Sequence, residues 1–206
     1  MIRRTHPARR TLLHRLIGDR SGATLTEFAF VAPVLIMMIM GIFDMAHTQY
    51  TNALLSGAVQ KAGRDMTLEN AGSQQAANDA RVRAQVLNIL PEGAEVEFER
   101  LSHFDFTDIG EPEEVIEPAA TANRRCDAGE RYIDENDNGR WDADRGQDGN
   151  GGARDAVLFT AIVRYDRLFP MYELIGMSDQ VTLRSSTVLR NQPFDEQDRS
   201  TDTEDC

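Results

Sequence analysis

The stretch "RSGATLTEFAFVAPVLIMMIMGIFDMA", residues 20–46, decides the architecture of this 206-residue chain. The sixteen residues from Phe28 to Phe43 are uncharged and mostly apolar, and counting on to Ala46 gives 19 residues. A helix of about 20 such residues is long enough to cross a bilayer. Pro33 lies inside the run, where a proline is tolerated if neighbouring groups satisfy the freed carbonyl. The stretch therefore predicts a membrane-spanning helix.

Charge is divided unevenly on the two sides of this stretch. Residues 1–22 carry six Arg and one Asp, whereas the remaining residues carry 16 Lys and Arg against 33 Asp and Glu, a net charge of −17. An excess of Lys and Arg marks the cytoplasmic side of a membrane helix. We therefore expect a cytoplasmic N-terminus and an acidic part that is periplasmic or extracellular. Because this part would repel phosphate, we expect no nucleic-acid partner.

The apolar stretch is expected to stay in the protein as an anchor. A secretory signal ends in small residues at a cleavage site, but the sequence DMAH follows here at residues 44–47. The helical pattern then continues, with Tyr50, Leu54, Ala58 and Ala62 at every fourth position. One helix from about Thr24 to Met66 would be on the order of 60 Å long. Its first half would be apolar on all sides and its second half amphipathic.

A carboxylate, Glu27, lies directly before the apolar run. One interpretation places it at the lipid headgroups, where it reaches into water. The other starts from Gly22: a cut after this residue would make Ala23 the first residue of the mature chain and Glu27 the fifth. A carboxylate at the bilayer centre costs about 2.5–3.5 kcal/mol, so a buried Glu27 would favour pairing with the new α-amino group of Ala23 on a neighbouring subunit.

This order of glycine, cleavage site and glutamate in an apolar helix resembles the type IV pilin family. It is most similar to the TadE-like proteins, which are minor pilins or pseudopilins of the tight-adherence (Tad) pilus. The positions that carry the resemblance are Gly22, Ala23, Glu27, Phe28, Ala29 and Pro33, then Gly41 and Asp44, Ala62 to Arg64, and the closing segment "VTLRSSTVLRNQPF", 181–194. Most of residues 20–66 and 155–194 is covered, whereas the segment 67–154 is longer and more acidic than the family core requires.

The resemblance implies a part in assembling a bacterial Tad-type (Flp) pilus at the inner membrane. The partners it implies are inner-membrane lipid, a prepilin peptidase, other pilin subunits and the Tad secretion machinery. An alternative is a membrane-tethered, calcium-stabilised binding or adhesion module with no filament role. A plain tether would need neither Gly22 nor Glu27, so these two residues distinguish the interpretations.

The sequence after the long helix predicts a small α+β head. Residues 74–90 have helical spacing, and the segments 94–101, 155–169 and 180–190 alternate as strands do. The second of these segments has one face made of Val157, Phe159, Ala161, Val163 and Tyr165, and the short connection 169–179 suits an antiparallel pair. We expect an antiparallel sheet of three or four strands packed on the second half of the long helix. The predicted organisation is a leader over 1–22, a helix over 23–66, a head over 67–194 and a tail over 195–206. The tail has six acids and no apolar residue before Cys206, so we expect it to be disordered.

The segment "YIDENDNGRWDADRGQDGNGG", 132–152, contains a candidate calcium loop. Calcium takes six to eight oxygen ligands, and an EF-hand loop supplies them from fixed positions with a glycine at position 6. The candidate ligands are Asp134, Asn136 and Asn138 at positions 1, 3 and 5, the Arg140 carbonyl, Asp142 and Asp144. Position 12 is Arg145 where a glutamate is expected, so the alternative is a turn-rich surface loop that needs no metal. In that alternative the Arg145 guanidinium neutralises Asp142 and Asp144.

The two cysteines, Cys126 and Cys206, both fall in the outward part, where disulfides are permitted. An intramolecular bridge and a bridge to another subunit are both compatible with this position. The four histidines are scattered, and neither cysteine has a partner at ligand or redox spacing. We therefore expect no catalytic site and no organic cofactor.

Overall fold

The computed structural model describes residues 21–66, 71–117, 124–169, 171–173, 176–192, 197 and 199–206. Within these described residues two helices come first, α1 (Ser21–Met66) and α2 (Ala71–Leu87). Seven strands follow: β1 (Glu95–His103), β2 (Val115–Glu117), β3 (Arg131–Asp134), β4 (Gln147–Asp148), β5 (Ala156–Asp166), β6 (Gln180–Arg190) and β7 (Asp202–Asp205). The predicted α+β class, a long apolar helix followed by an antiparallel-sheet domain, is confirmed.

The chain divides into two compact units, residues 1–45 and 46–206. In the first unit the described part of α1 exposes its large apolar side chains to its surroundings, among them Leu25, Phe28, Phe30 and Ile42. Only 6 % of its most apolar window is buried, whereas a core helix of a soluble protein would be mostly buried. By length and composition α1 can cross a membrane. Most of the predicted leader, residues 1–20, lies outside the described residues.

The second unit is built around a four-stranded antiparallel sheet in the order β4-β1-β5-β6. The central strand β5 buries one face, made of the predicted residues Val157, Phe159, Ala161, Val163 and Tyr165. The second half of α1 supplies Leu55, Ala58, Val59, Ala62 and Met66 to the same core, and α2 adds Val82 and Val86. Apolar burial at roughly 25 cal/mol per Å² makes this helix–sheet layer the main source of stability.

The predicted elements lie close to where the periodicity placed them. The strands β5 and β6 pair without a bulge from Ala156↔Arg190 to Asp166↔Gln180, as the short connection between them indicated. Helix α2 ends at Leu87, three residues before the predicted end. The next turn is tighter, because Ile89 N and Leu90 N donate to the carbonyls three residues back.

A second sheet, in the order β2-β3-β7, was not predicted. Its last strand corrects the prediction of disorder for part of the 195–206 tail: Asp202–Asp205 pairs antiparallel with β3 over four residues, and residues 195, 196 and 198 lie outside the described residues. The structure also bridges Cys126 and Cys206 within the chain, with their Cα atoms 5.5 Å apart. The tail has too little apolar surface to fold by burial. Backbone pairing and the disulfide hold residues 202–206 in place instead.

Helix α1 lies close to β6 at Gly63. A Cβ at this position would lie 2.7 Å from the Thr187 Cγ2 atom of β6, whereas a Cβ at Gly57, on the same helix, would meet nothing within 4 Å. A threonine methyl is stiff, because β-branching restricts its rotamers. The helix can therefore lie this close to β6 only with glycine at residue 63.

We expect Gly63→Ala to destabilise the head and Gly57→Ala to leave it unchanged or stabilise it. Both substitutions gain up to about 1 kcal/mol of helix propensity, but Gly63→Ala also overpacks the core at a cost of about 1–3 kcal/mol. Urea denaturation of the detergent-solubilised protein, followed by Trp141 emission, measures the difference. Equal midpoints for the two variants would contradict the close packing.

Candidate functional site

The candidate calcium loop begins where β3 ends, at Asp134. The two carboxylate oxygens of this buried residue accept hydrogen bonds from Asn138 N (3.2 Å) and Gly139 N (2.7 Å). The Asn136 side-chain oxygen also accepts from Asn138 N (3.2 Å), and the Asn138 oxygen accepts from Arg140 N (2.9 Å). Gly139 has a φ of +73°, in the left-handed region that glycine adopts without cost. These side chains therefore fold the loop by satisfying its own backbone N–H groups.

The amide nitrogens of Asn136 and Asn138 both donate to the Asp142 Oδ2 atom, the first at 3.1 Å. A metal ion at Asp142 would need amide oxygens at these places. The oxygen and the nitrogen of a side-chain amide are told apart by their hydrogen-bond partners. Calcium binding would therefore require both amides to rotate, and the loop would lose hydrogen bonds that it already makes.

A buried carboxylate that the sequence analysis missed, Glu113, holds the loop from the other side. Its oxygens accept from Glu135 N (3.1 Å) and Asp142 N (2.9 Å), and its carbonyl accepts from the Trp141 indole N–H (3.1 Å). Burial raises the pKa of Glu113, the two backbone N–H groups oppose this change, and the Asp134 and Asp142 charges add to it. Glu113 lies among other acids in the sequence EPEEV, 111–115, so no local pattern distinguishes it.

Arg145, at position 12 of the candidate loop, makes a set of contacts that closes the segment. Its guanidinium donates to the Pro112 carbonyl (2.7 and 3.1 Å) and to Glu135 Oε1 (2.9 Å), and it lies 3.7 Å from Asp108. Asp144 instead contacts His103, with 2.6 Å between its Oδ1 and the ring Nε2, and accepts from Gly146 N. Arg145 thus neutralises Glu135 and Asp108, where the sequence had suggested Asp142 and Asp144 as its alternative partners.

Five of the six candidate ligands line one open cleft of about 420 Å³. Its walls are Leu101, Asn136, Asn138, Arg140, Asp142, Asp144, Gly146, Gln147 and Asp148. Asp134 is not among these lining residues, and its two carboxylate oxygens accept hydrogen bonds from backbone N–H groups of the loop. Within the described residues, no three His, Cys, Asp or Glu side chains are arranged to hold a metal ion. The calcium site stays a prediction.

The residues predicted for processing and assembly lie in α1. Gly22 and Ala23 have helical backbone, and Glu27 is exposed on the same helix. They are therefore at the end of α1 that begins the apolar stretch. The cysteine pair lies in the second unit, beside the β2-β3-β7 sheet, because Cys206 directly follows β7 and its N–H donates to the Glu130 carbonyl (3.0 Å).

A calcium titration followed by Trp141 emission tests whether the loop binds calcium. Trp141 is the only tryptophan of the sequence, and its indole N–H is hydrogen-bonded to the Glu113 carbonyl. If calcium binds, we expect a saturable change at about 10⁻⁴–10⁻³ M, the range of extracellular calcium modules, and a smaller change with magnesium, which demands tighter octahedral geometry. Asp134→Ala should abolish the change, and Asp166→Ala, at an exposed residue of β5, should retain it. A flat titration to several millimolar with the head folded would support metal-free closure by Arg145.

Comparison with known proteins relates the chain to one family. Neither a curated protein nor a solved structure matches it. Residues 22–64 match the family of TadE-like proteins. The matched segment contains Gly22, Ala23 and Glu27 and runs along α1 to Arg64, so the resemblance to TadE-like proteins is confirmed over residues 22–64.

Proposed function

We propose that this protein is a TadE-like minor pilin or pseudopilin that takes part in assembling a bacterial Tad-type pilus at the inner membrane. The observation that carries the proposal is the family match over 22–64, which falls on the helix that can cross a membrane. The role is structural and requires no catalysis. The proposal rests on the helix and its first residues, since a fold by itself does not imply a function.

The proposed orientation follows from charge. The basic leader stays in the cytoplasm, and the acidic head lies in the periplasm or outside the cell. The exposed apolar side chains of α1 up to Phe43 contact lipid before assembly and neighbouring subunits after it. Other pilin subunits and the Tad secretion machinery are the proposed partners.

A membrane-tethered binding module with no filament role is the competing proposal. It would use the same helix only as an anchor, and it would depend on the head. The family match supports the pilin proposal, because the match includes Gly22 and Glu27, which an anchor does not need. The open cleft lined by Asp142, Asp144 and Asp148 is compatible with both proposals.

The proposed processing removes residues 1–22 by a cut after Gly22. We expect the intact mass of the protein extracted from membranes of assembling cells to correspond to a chain that starts at Ala23. Gly22→Val should leave the leader attached, because a β-branched side chain would stand at the scissile bond, whereas Gly18→Val, at the other glycine of the leader, should be cut normally. A wild-type chain that still starts at Met1 would contradict the proposed processing.

The proposed role of Glu27 is to pair with the α-amino group of Ala23 on a neighbouring subunit. Glu27→Gln keeps the shape of the side chain and removes its charge, so insertion and cleavage should be normal and subunit association weaker. Losing about 1.4 kcal/mol per contact would weaken association about tenfold. Crosslinking yield in membranes measures this loss.

The matched control for this variant is Glu92→Gln, which makes the same change at an exposed residue of the head. Its crosslinking yield should equal that of the wild type. If Glu27→Gln also crosslinks at the wild-type yield, Glu27 lies at the headgroups and the pairing proposal is wrong.

A further inference from the structure

The last residues of the chain, 199–206, lie along the outer edge of β3, and we refer to them as the C-terminal strap. Asp202 to Asp205 pair with β3 in the register Asp134↔Asp202, Ile133↔Thr203, Tyr132↔Glu204 and Arg131↔Asp205. Beyond this strand, Cys206 N donates to the Glu130 carbonyl (3.0 Å), and Cys206 is bridged to Cys126. The strand and the end of the strap are thus held by a few backbone hydrogen bonds and one covalent bond.

The strap also contacts the loop that follows β3. The Arg199 guanidinium donates to Glu135 Oε2 (2.8 Å) and lies over the Phe104 ring, 5.1 Å from its centroid. Only 4 % of the Glu135 side chain is exposed, and its other oxygen accepts from Arg145. A buried carboxylate needs such partners. The ordering of the loop therefore depends in part on the strap.

The negative charges of the strap disfavour its position beside β3. Asp202 stands directly across from Asp134, and the strap adds the carboxylates of Glu204 and Asp205 to a region that already contains Glu113 and Glu130. Like charges directly opposite each other on neighbouring strands are destabilising. The ion pair between Arg131 and Asp205 (3.5 Å) lies at the surface, where such pairs contribute little.

Apolar burial does not compensate for this repulsion. Asp202, Glu204 and Asp205 are exposed, and Thr203 is half-buried. The partner sheet is also small within the described residues, where β2 pairs with β3 at Val115↔Tyr132 and Glu117↔Arg131. An isolated two-stranded pair is marginally stable in water. Without the strap, β3 would be one strand of such a pair.

We propose that the Cys126–Cys206 bridge holds the strap on β3 and that reduction of this bridge releases the strap. With the bridge closed, the strap completes the β2-β3-β7 sheet and holds Glu135. With the bridge open, repulsion between the strap and β3 releases residues 199–206, and the end of β3 and the loop from Asp134 to Arg145 lose their order. The core of α1, α2, β1, β5 and β6 stays folded, because its buried residues do not include the strap.

The opening step is thiol–disulfide exchange with a dithiol reductant. One thiolate of the reductant attacks a sulfur of the bridge and forms a mixed disulfide, and its second thiolate displaces the remaining cysteine. The reductant leaves as a disulfide, and Cys126 and Cys206 gain two electrons and two protons as free thiols. An oxidant of the thiol–disulfide class reverses the step. This inference does not depend on a role in a pilus.

Hydrogen exchange of the full chain in detergent, with and without dithiothreitol, tests the proposal. After reduction we expect amide exchange to become at least about tenfold faster in Arg131–Asp134 and Asp202–Asp205, because these residues open locally. Exchange in Ala156–Asp166 and Gln180–Arg190 should not change. The Trp141 emission should change in parallel, since its indole N–H is bonded to Glu113 beside the loop.

Two variants control for the reductant and for the contacts other than the bridge. The double variant Cys126→Ser, Cys206→Ser should exchange like the reduced wild type and should not respond to dithiothreitol. Arg199→Gln removes the contact with Glu135 and leaves the bridge closed, so the strap strand should keep the slow exchange of the oxidised protein. Raising the salt concentration to about 1 M screens charge repulsion and should slow exchange of the strap in the reduced protein.

Three results would overturn the proposal. If exchange in β3 and β7 is the same before and after reduction, backbone pairing alone holds the strap. If reduction speeds amide exchange in β5 and β6 as much as in β3 and β7, the bridge stabilises the whole head and does not act on the strap and β3 alone. A salt-independent exchange rate in the reduced protein would contradict charge repulsion as the cause of release.

Discussion

The packing of the second half of α1 on β5 and β6 is the contact on which the rest of the head depends. Small residues at Ala58, Ala62 and Gly63 let the helix lie close to the sheet, and Gly63 faces the Thr187 methyl with no room for a side chain. The central strand β5 then buries a full face against this helix. Since interiors are packed as densely as organic crystals, this contact also sets where β1 and β6 lie.

The second sheet and its loop are held by different forces. Glu113 and Glu135 are buried carboxylates, and each is satisfied by backbone N–H groups or guanidinium groups. Hydrogen bonds to charged groups contribute about 1.5–3 kcal/mol each, and removing one partner leaves the other with the cost of an unpaired buried charge. This part of the head is therefore sensitive to charge, pH and cross-linking, whereas the sheet on α1 depends on apolar burial.

The family match and the unusual features of the chain lie in different places. The match covers residues 22–64, which include the apolar helix, Gly22 and Glu27. The acidic loop, the second sheet and the disulfide all lie after residue 64. The residues proposed for processing and assembly therefore lie apart in the sequence from the acidic loop, the second sheet and the disulfide.

Periodicity in the sequence by itself determined the two helices, the strands β1, β5 and β6 and the face that β5 buries, because these depend on residues two to four positions apart. The tertiary structure alone decided the partners of Arg145, the role of Glu113 and the position of the tail. Glu113 contacts a residue 22 positions away, Arg199 one that is 64 away, and Cys126 one that is 80 away. The acidic tail of residues 195–206 has the composition of a disordered segment, and residues 202–205 form a strand because a cross-link and the free edge of β3 hold them where apolar burial would not.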